Sequence, residues 1–191
     1  MCCMDGHEMQ FEPTAIPEVV LIRPNVFGDA RGFFLESWNQ QRFREGGLDL
    51  TFVQDNHSRS RRGTLRGLHY QVKQPQGKLV RTATGTVFDV AVDMRRASPT
   101  FGRWVGATLS DENQHMLWIP PGFAHGFLVL SAAADFLYKC TDFYAPEYER
   151  SVRWDDPDLA IAWPMPEGVG PLLSAKDLAA DSFKSAASYQ V

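Results

Sequence analysis

Between residues 19 and 140 the chain is a series of short apolar runs cut by Gly, Pro, Asn and Asp. The run at 19–22 stops before Pro24, 32–37 reads as an edge-like strand, and 52–54 opens another. Further strand-like runs fall at 65–71, 78–83, 87–93, 104–109, 116–119, 125–130 and 136–140, with Thr84-Gly85, Asp111-Glu112-Asn113 and Pro120-Pro121-Gly122 as turn signals. The spacing predicts a helix over 39–45, stopped by Gly46-Gly47. A helical turn is expected over 174–180, with Ser174 as N-cap and Asp177 three residues on. Residues 159–163 read as a last short strand. Nine or ten strands without βαβ alternation argue for an antiparallel sandwich or barrel. The expected organisation is a loose leader over 1–15, one domain over 16–180 and a frayed polar tail over 181–191.

At 191 residues the chain has room for one well-packed core. Nineteen Lys and Arg against 23 Asp and Glu give a net charge of −4, so nucleic acid is not an expected partner. No apolar run approaches the ~18 residues of a membrane span, and the first ten residues lack a secretory pattern. Three cysteines cannot build a disulfide framework, which points to a reducing, cytoplasmic compartment.

The densest polar cluster in a strand context is Leu65-Arg66-Gly67-Leu68-His69-Tyr70-Gln71. Strict alternation puts Arg66 and His69 on opposite faces, so a shared pocket requires a bulge near Gly67. A second cluster, Pro121-Gly122-Phe123-Ala124-His125-Gly126-Phe127, is expected to place His125 at the mouth of a strand. Both histidines are equally compatible with a structural role. Lys78, Arg31, Arg66 and Arg81 are candidate anion partners, and Tyr138, set among apolar residues, is a candidate proton donor. No Gly-rich phosphate loop and no G-x-S-x-G elbow occur. The His-x-His pair of cupin metal sites is missing, so no metal and no cofactor are expected.

These motifs, with Phe27-Gly28-Asp29-Ala30-Arg31-Gly32-Phe33-Phe34, Gln54-Asp55-Asn56-His57 and Gly77-Lys78-Leu79-Val80-Arg81, resemble dTDP-4-dehydrorhamnose 3,5-epimerases over residues 16–177. The resemblance implies an all-β, cupin-like jelly roll (a double-stranded β-helix) with short flanking helices. It implies a homodimer with shared active sites, acting on dTDP-4-dehydro-6-deoxy-D-glucose for cell-surface polysaccharide. Carried onto this chain, His69 is the base, Asp177 its orienting carboxylate, Tyr138 the acid and Lys78 the partner of the sugar carbonyl. Arg66 and His125 line the sugar and phosphate region. Arg31, Glu36, Gln54, Asn56, Glu149 and Lys176 match nucleotide-site positions, with Arg31 and Glu36 reaching the neighbouring subunit's site, and Tyr144 is a further expected substrate-binding residue. Two other classes stay open: a metal-dependent cupin dioxygenase, which the missing His-x-His pair disfavours, and a non-catalytic sugar-binding protein on the same fold.

Overall fold

Strand pairing in the computed structural model, which describes residues 8–190, is antiparallel between all named strands. The order is β1 (Gln10–Pro13), β2 (Val20–Arg23), β3 (Val26–Asp29), β4 (Gly32–Leu35), α1 (Gln40–Glu45), β5 (Gln54–Arg61), β6 (Leu65–Gln71), β7 (Lys78–Thr84) and β8 (Thr86–Asp93). It continues with β9 (Trp104–Ser110), β10 (Met116–Ile119), β11 (Phe123–Val129), β12 (Ala133–Cys140), β13 (Glu149–Ser151) and α2 (Ala175–Leu178). A six-stranded sheet, β1-β2-β10-β7-β12-β5, faces a five-stranded sheet, β13-β6-β11-β8-β9, while β3 and β4 form a separate hairpin. This is the jelly roll expected from the resemblance.

Val80, Val87, Leu117, Phe127 and Phe136 fill the apolar part of the space between the sheets. The outer faces are also covered, which is why β11 is buried at all seven positions and the runs read as apolar rather than alternating. On the six-stranded side Val20, Ile22, Leu79 and Trp118 pack under Phe43 of α1. Asn39 caps that helix by accepting from the Arg42 amide at 3.2 Å, and Gly46 ends it, as the sequence predicts. On the five-stranded side Leu68, Val90 and Val92 pack under Leu159, Ile161, Trp163 and Tyr189.

Four expectations need correction. The leader is not loose from residue 10 onward: β1 pairs with β2, Met9 is buried, and Phe11 meets Phe43 edge-on at 5.2 Å. Its first seven residues lie outside the described part. Residues 159–163 form no strand, because Asp156 takes up the amides of Asp158 and Leu159 and wraps the segment into turns. The tail is docked rather than frayed through residue 190. Tyr189 donates its amide to the Met94 carbonyl at 3.0 Å and its hydroxyl to the Gln71 carbonyl at 2.5 Å. The strand carrying His125 begins at Phe123, so the histidine sits inside the strand and not at its mouth. No helix among the described residues is long and apolar enough to cross a membrane.

Candidate active site

The space between the sheets is polar at one end. Two hollows of about 520 and 340 Å³ meet there, and His69, Lys78 and Tyr138 line both. Arg66, His125, Lys176 and Asp177 line the larger, and Gln54, Asn56, Tyr144 and Glu149 the smaller.

A bulge positions the first of these groups. His125 pairs with His69 and Phe127 with Arg66, so Gly126 alone opposes both Gly67 and Leu68. The extra residue brings Arg66 round to the hollow that His69 lines. Only glycine fits at 67: its φ is +123°, and a Cβ there would lie 2.5 Å from the Gly126 Cα. Arg66 Nε is anchored by donating to Ser60 Oγ at 3.1 Å.

Asp177 stands behind His69. Its Oδ1 is 2.8 Å from His69 Nε2 and accepts from the Gly67 amide at 3.2 Å. Its Oδ2 accepts from the Ser174 hydroxyl at 2.5 Å and the Ser174 amide at 3.1 Å. Burial pushes this carboxyl up, but donors from His69, Ser174 and Gly67 outweigh it and hold Asp177 well below the usual carboxylate range. An ionised carboxylate only accepts, so His69 Nε2 carries the hydrogen, and the tautomer of a neutral ring held this way has Nδ1 as its acceptor.

His125 is buried and pairs with Asp89 at 2.8 Å. Burial pushes the imidazole down, favouring its neutral form. Burial likewise pushes the Lys78 ammonium down, against the pull of Cys140, Glu149 and Asp89. The Tyr138 phenol is pushed up by burial and stays protonated. His69 and Tyr138 belong to β6 and β12, so they stand on facing sheets. One wall of the cleft therefore offers an acceptor and the other a donor.

In the smaller hollow Tyr144 donates its hydroxyl to Glu149 Oε2 at 2.6 Å and its amide to Gln54 Oε1 at 2.9 Å. Lys176 is ion-paired with the same Glu149 oxygen. Gln54 donates on to Asn56 at 3.1 Å.

The family model for dTDP-4-dehydrorhamnose 3,5-epimerase matches residues 13–185. The chain belongs to that family. It is therefore an isomerase. It is 62% identical over 173 residues to the dTDP-4-dehydrorhamnose 3,5-epimerase of Pseudomonas aeruginosa, covering 90% of this chain and 94% of that one. The crystal structure of the Legionella pneumophila dTDP-6-deoxy-D-glucose-3,5-epimerase in complex with dTDP-4-keto-L-rhamnose superposes with a TM-score of 0.91 at 54% identity, covering 96% of this chain and 100% of that chain. A 3'-monoepimerase from Streptomyces bikiniensis, solved with dTDP-quinovose, superposes with a TM-score of 0.84 at 36% identity, covering 91% and 87%.

Three of the family-matched or candidate residues lie elsewhere in the single chain. Arg31 sits on the β3–β4 turn, paired with Asp29 at 2.5 Å. Glu36 pairs with Arg42 at 3.2 Å. Arg81 faces the outer side of the six-stranded sheet with Leu79 and Lys139, because the pleat that turns Lys78 and Val80 inward turns Arg81 outward. Asp89 went unnoticed in the sequence, although a carboxylate within the run Val87-Phe88-Asp89-Val90 is itself a signal of a buried polar partner. Among the described residues no three His, Cys, Asp or Glu side chains converge as metal ligands.

Proposed function

We propose that the chain inverts C3 and C5 of dTDP-4-dehydro-6-deoxy-D-glucose to give dTDP-4-dehydro-L-rhamnose, without metal or cofactor. The observation that carries this reading is His69 and Tyr138 on facing walls of one cleft. Both carbons lie next to the C4 ketone. His69 Nδ1 takes the proton, and the C–H electron pair moves into an enolate at C3=C4 or C4=C5. Asp177 stabilises the imidazolium that results. Lys78, in a site shielded from water, faces the charge that develops on O4, and such stabilisation is typically worth a few kcal/mol. The Tyr138 hydroxyl then gives its proton to the opposite face of the same carbon, and solvent exchange returns His69 and Tyr138 to their starting protonation. Repetition at the second carbon completes an isomerisation with no net gain or loss of atoms.

Arg66 and His125 support the sugar and pyrophosphate, where a guanidinium makes bidentate contacts. Gln54, Asn56, Tyr144, Glu149 and Lys176 form the nucleotide end. Arg31 and Glu36 act in the neighbouring site of a homodimer, a reading supported by their pairing with Asp29 and Arg42 rather than lining the cleft of their own chain. The proposal includes a cytoplasmic setting, supported by the free buried thiol of Cys140.

A second reading, inversion at one carbon only, rests on the lesser likeness to the Streptomyces 3'-monoepimerase, at 36% identity against 62% for the Pseudomonas 3,5-epimerase. One experiment tests both: NMR of the nucleotide sugar incubated with the enzyme in heavy water and EDTA. Deuterium at C3 and C5 with conversion to the L-sugar is expected. Inversion at C3 alone supports the second reading, and no exchange at either carbon overturns both.

A further inference from the structure

The helical turn that carries Asp177 is capped by the residue that also grips the Asp177 carboxylate. Ser174 is the N-cap of α2, its Oγ accepting from the Asp177 amide at 3.2 Å. The reciprocal bonds of this capping box come from Asp177 Oδ2, which accepts the Ser174 hydroxyl and amide. Here one oxygen serves the cap and the other faces His69 and the Gly67 amide, so the carboxylate is held at all four contacts.

We propose that Ser174 is a positioning residue for the reaction: by fixing Asp177 Oδ2 it forces Oδ1 onto His69 Nε2 and thereby selects the imidazole tautomer whose Nδ1 lone pair faces the cleft. This rests on the assignment of His69 as the base. A carboxylate on a free side chain rotates about its last torsion, which is broad and roughly two-fold. With Ser174 in place, any such rotation breaks two bonds at Oδ2, one to the Ser174 hydroxyl and one to its amide. Without the hydroxyl, Oδ2 is left with the amide alone, and rotation lets Nε2 lose its acceptor. His69 can then place its hydrogen on Nδ1, the atom that has to receive the substrate proton.

The helix cap and the orientation of Asp177 are separable. Glycine at an N-cap costs only a few tenths of a kcal/mol relative to serine, so Ser174→Gly keeps the turn and removes the hydroxyl. Ser174→Thr keeps the hydroxyl. Nitrogen-15 NMR of the His69 ring reports the tautomer in the free enzyme, and turnover of the nucleotide sugar reports the chemistry. The expected result is a single Nε2–H tautomer in wild type and Ser174→Thr. Ser174→Gly should show a mixture, with a fall in kcat of about tenfold to a hundredfold and little change in KM, the usual scale for a partner once removed from the working group. An unchanged tautomer and kcat in a folded Ser174→Gly enzyme would overturn the proposal, even if its melting temperature fell. A tautomer that follows Ser174 in an enzyme with no epimerase activity would leave the orientation intact and sink the reading of His69 as the base.

Discussion

His69 and Tyr138 differ in what each can lose. Removal of the imidazole takes away the group proposed to accept the proton, so His69→Ala should abolish deuterium entry at C3 and C5 together, with a rate loss of at least ~10²–10⁴-fold. Tyr138→Phe deletes one hydroxyl and keeps the ring, which packs against the central apolar cluster beside Phe136. Proton abstraction by His69 should continue in this variant while delivery from the other wall slows. The signature is deuterium exchange with retained configuration that outpaces formation of the L-sugar, followed by NMR in heavy water. Equal loss of exchange in both variants would mean that the two walls do not divide the work in this way. A protonated phenol is required for this role, and burial supplies it by pushing Tyr138 upward.

At the scale of an element, β6 depends on its bulge. A regular strand would turn Arg66 away from His69, and the extra residue opposite Gly126 brings both to the cleft. The bulge works only because two glycines cross at close range. Gly67→Ala would force a Cβ against Gly126 at a φ that L-residues rarely adopt, with an expected cost of roughly 2–4 kcal/mol. Urea denaturation should show this as a lower midpoint with an unchanged slope. The remaining folded enzyme should also lose kcat, because the Asp177 bond to the Gly67 amide and the His69–His125 register shift together. A stable and fully active Gly67→Ala enzyme would show that the close approach is not needed.

For the whole molecule, the β3–β4 hairpin stands apart from both sheets and exposes Phe27, Phe33 and Phe34 at 52%, 61% and 68%. Three large aromatics together on a monomer surface are the kind of apolar patch that a second copy could cover. The turn between them carries Arg31. If a second copy receives this arm, Arg31 completes the neighbour's site, and light scattering should report a dimer. Arg31→Ala and His69→Ala chains, each impaired alone, should then regain activity when mixed and refolded. Each heterodimer would hold one site with His69 from one chain and Arg31 from the other. If Arg31 serves its own chain, no heterodimer site is complete and mixing restores nothing.

Local pattern was enough for the elements whose causes are local. Apolar runs ended by turn residues located most of the large strands, Asn39 and the Gly46-Gly47 stop bounded α1, and Ser174 with Asp177 marked the capping box. Alternation alone also set the condition that Arg66 and His69 can share a pocket only through a bulge near Gly67. The assignment of roles in the cleft came from resemblance rather than from spacing, since nothing local links His69 to a carboxylate 108 residues away. Tertiary structure decided that link, the inward turn of Lys78 against the outward turn of Arg81, and the docking of Met9, Phe11 and Tyr189. The physical reason is the same in each case. Turn and cap preferences act between residues a few positions apart, whereas the face that a side chain presents, and what covers it, depend on the register and burial that distant strands impose on one another.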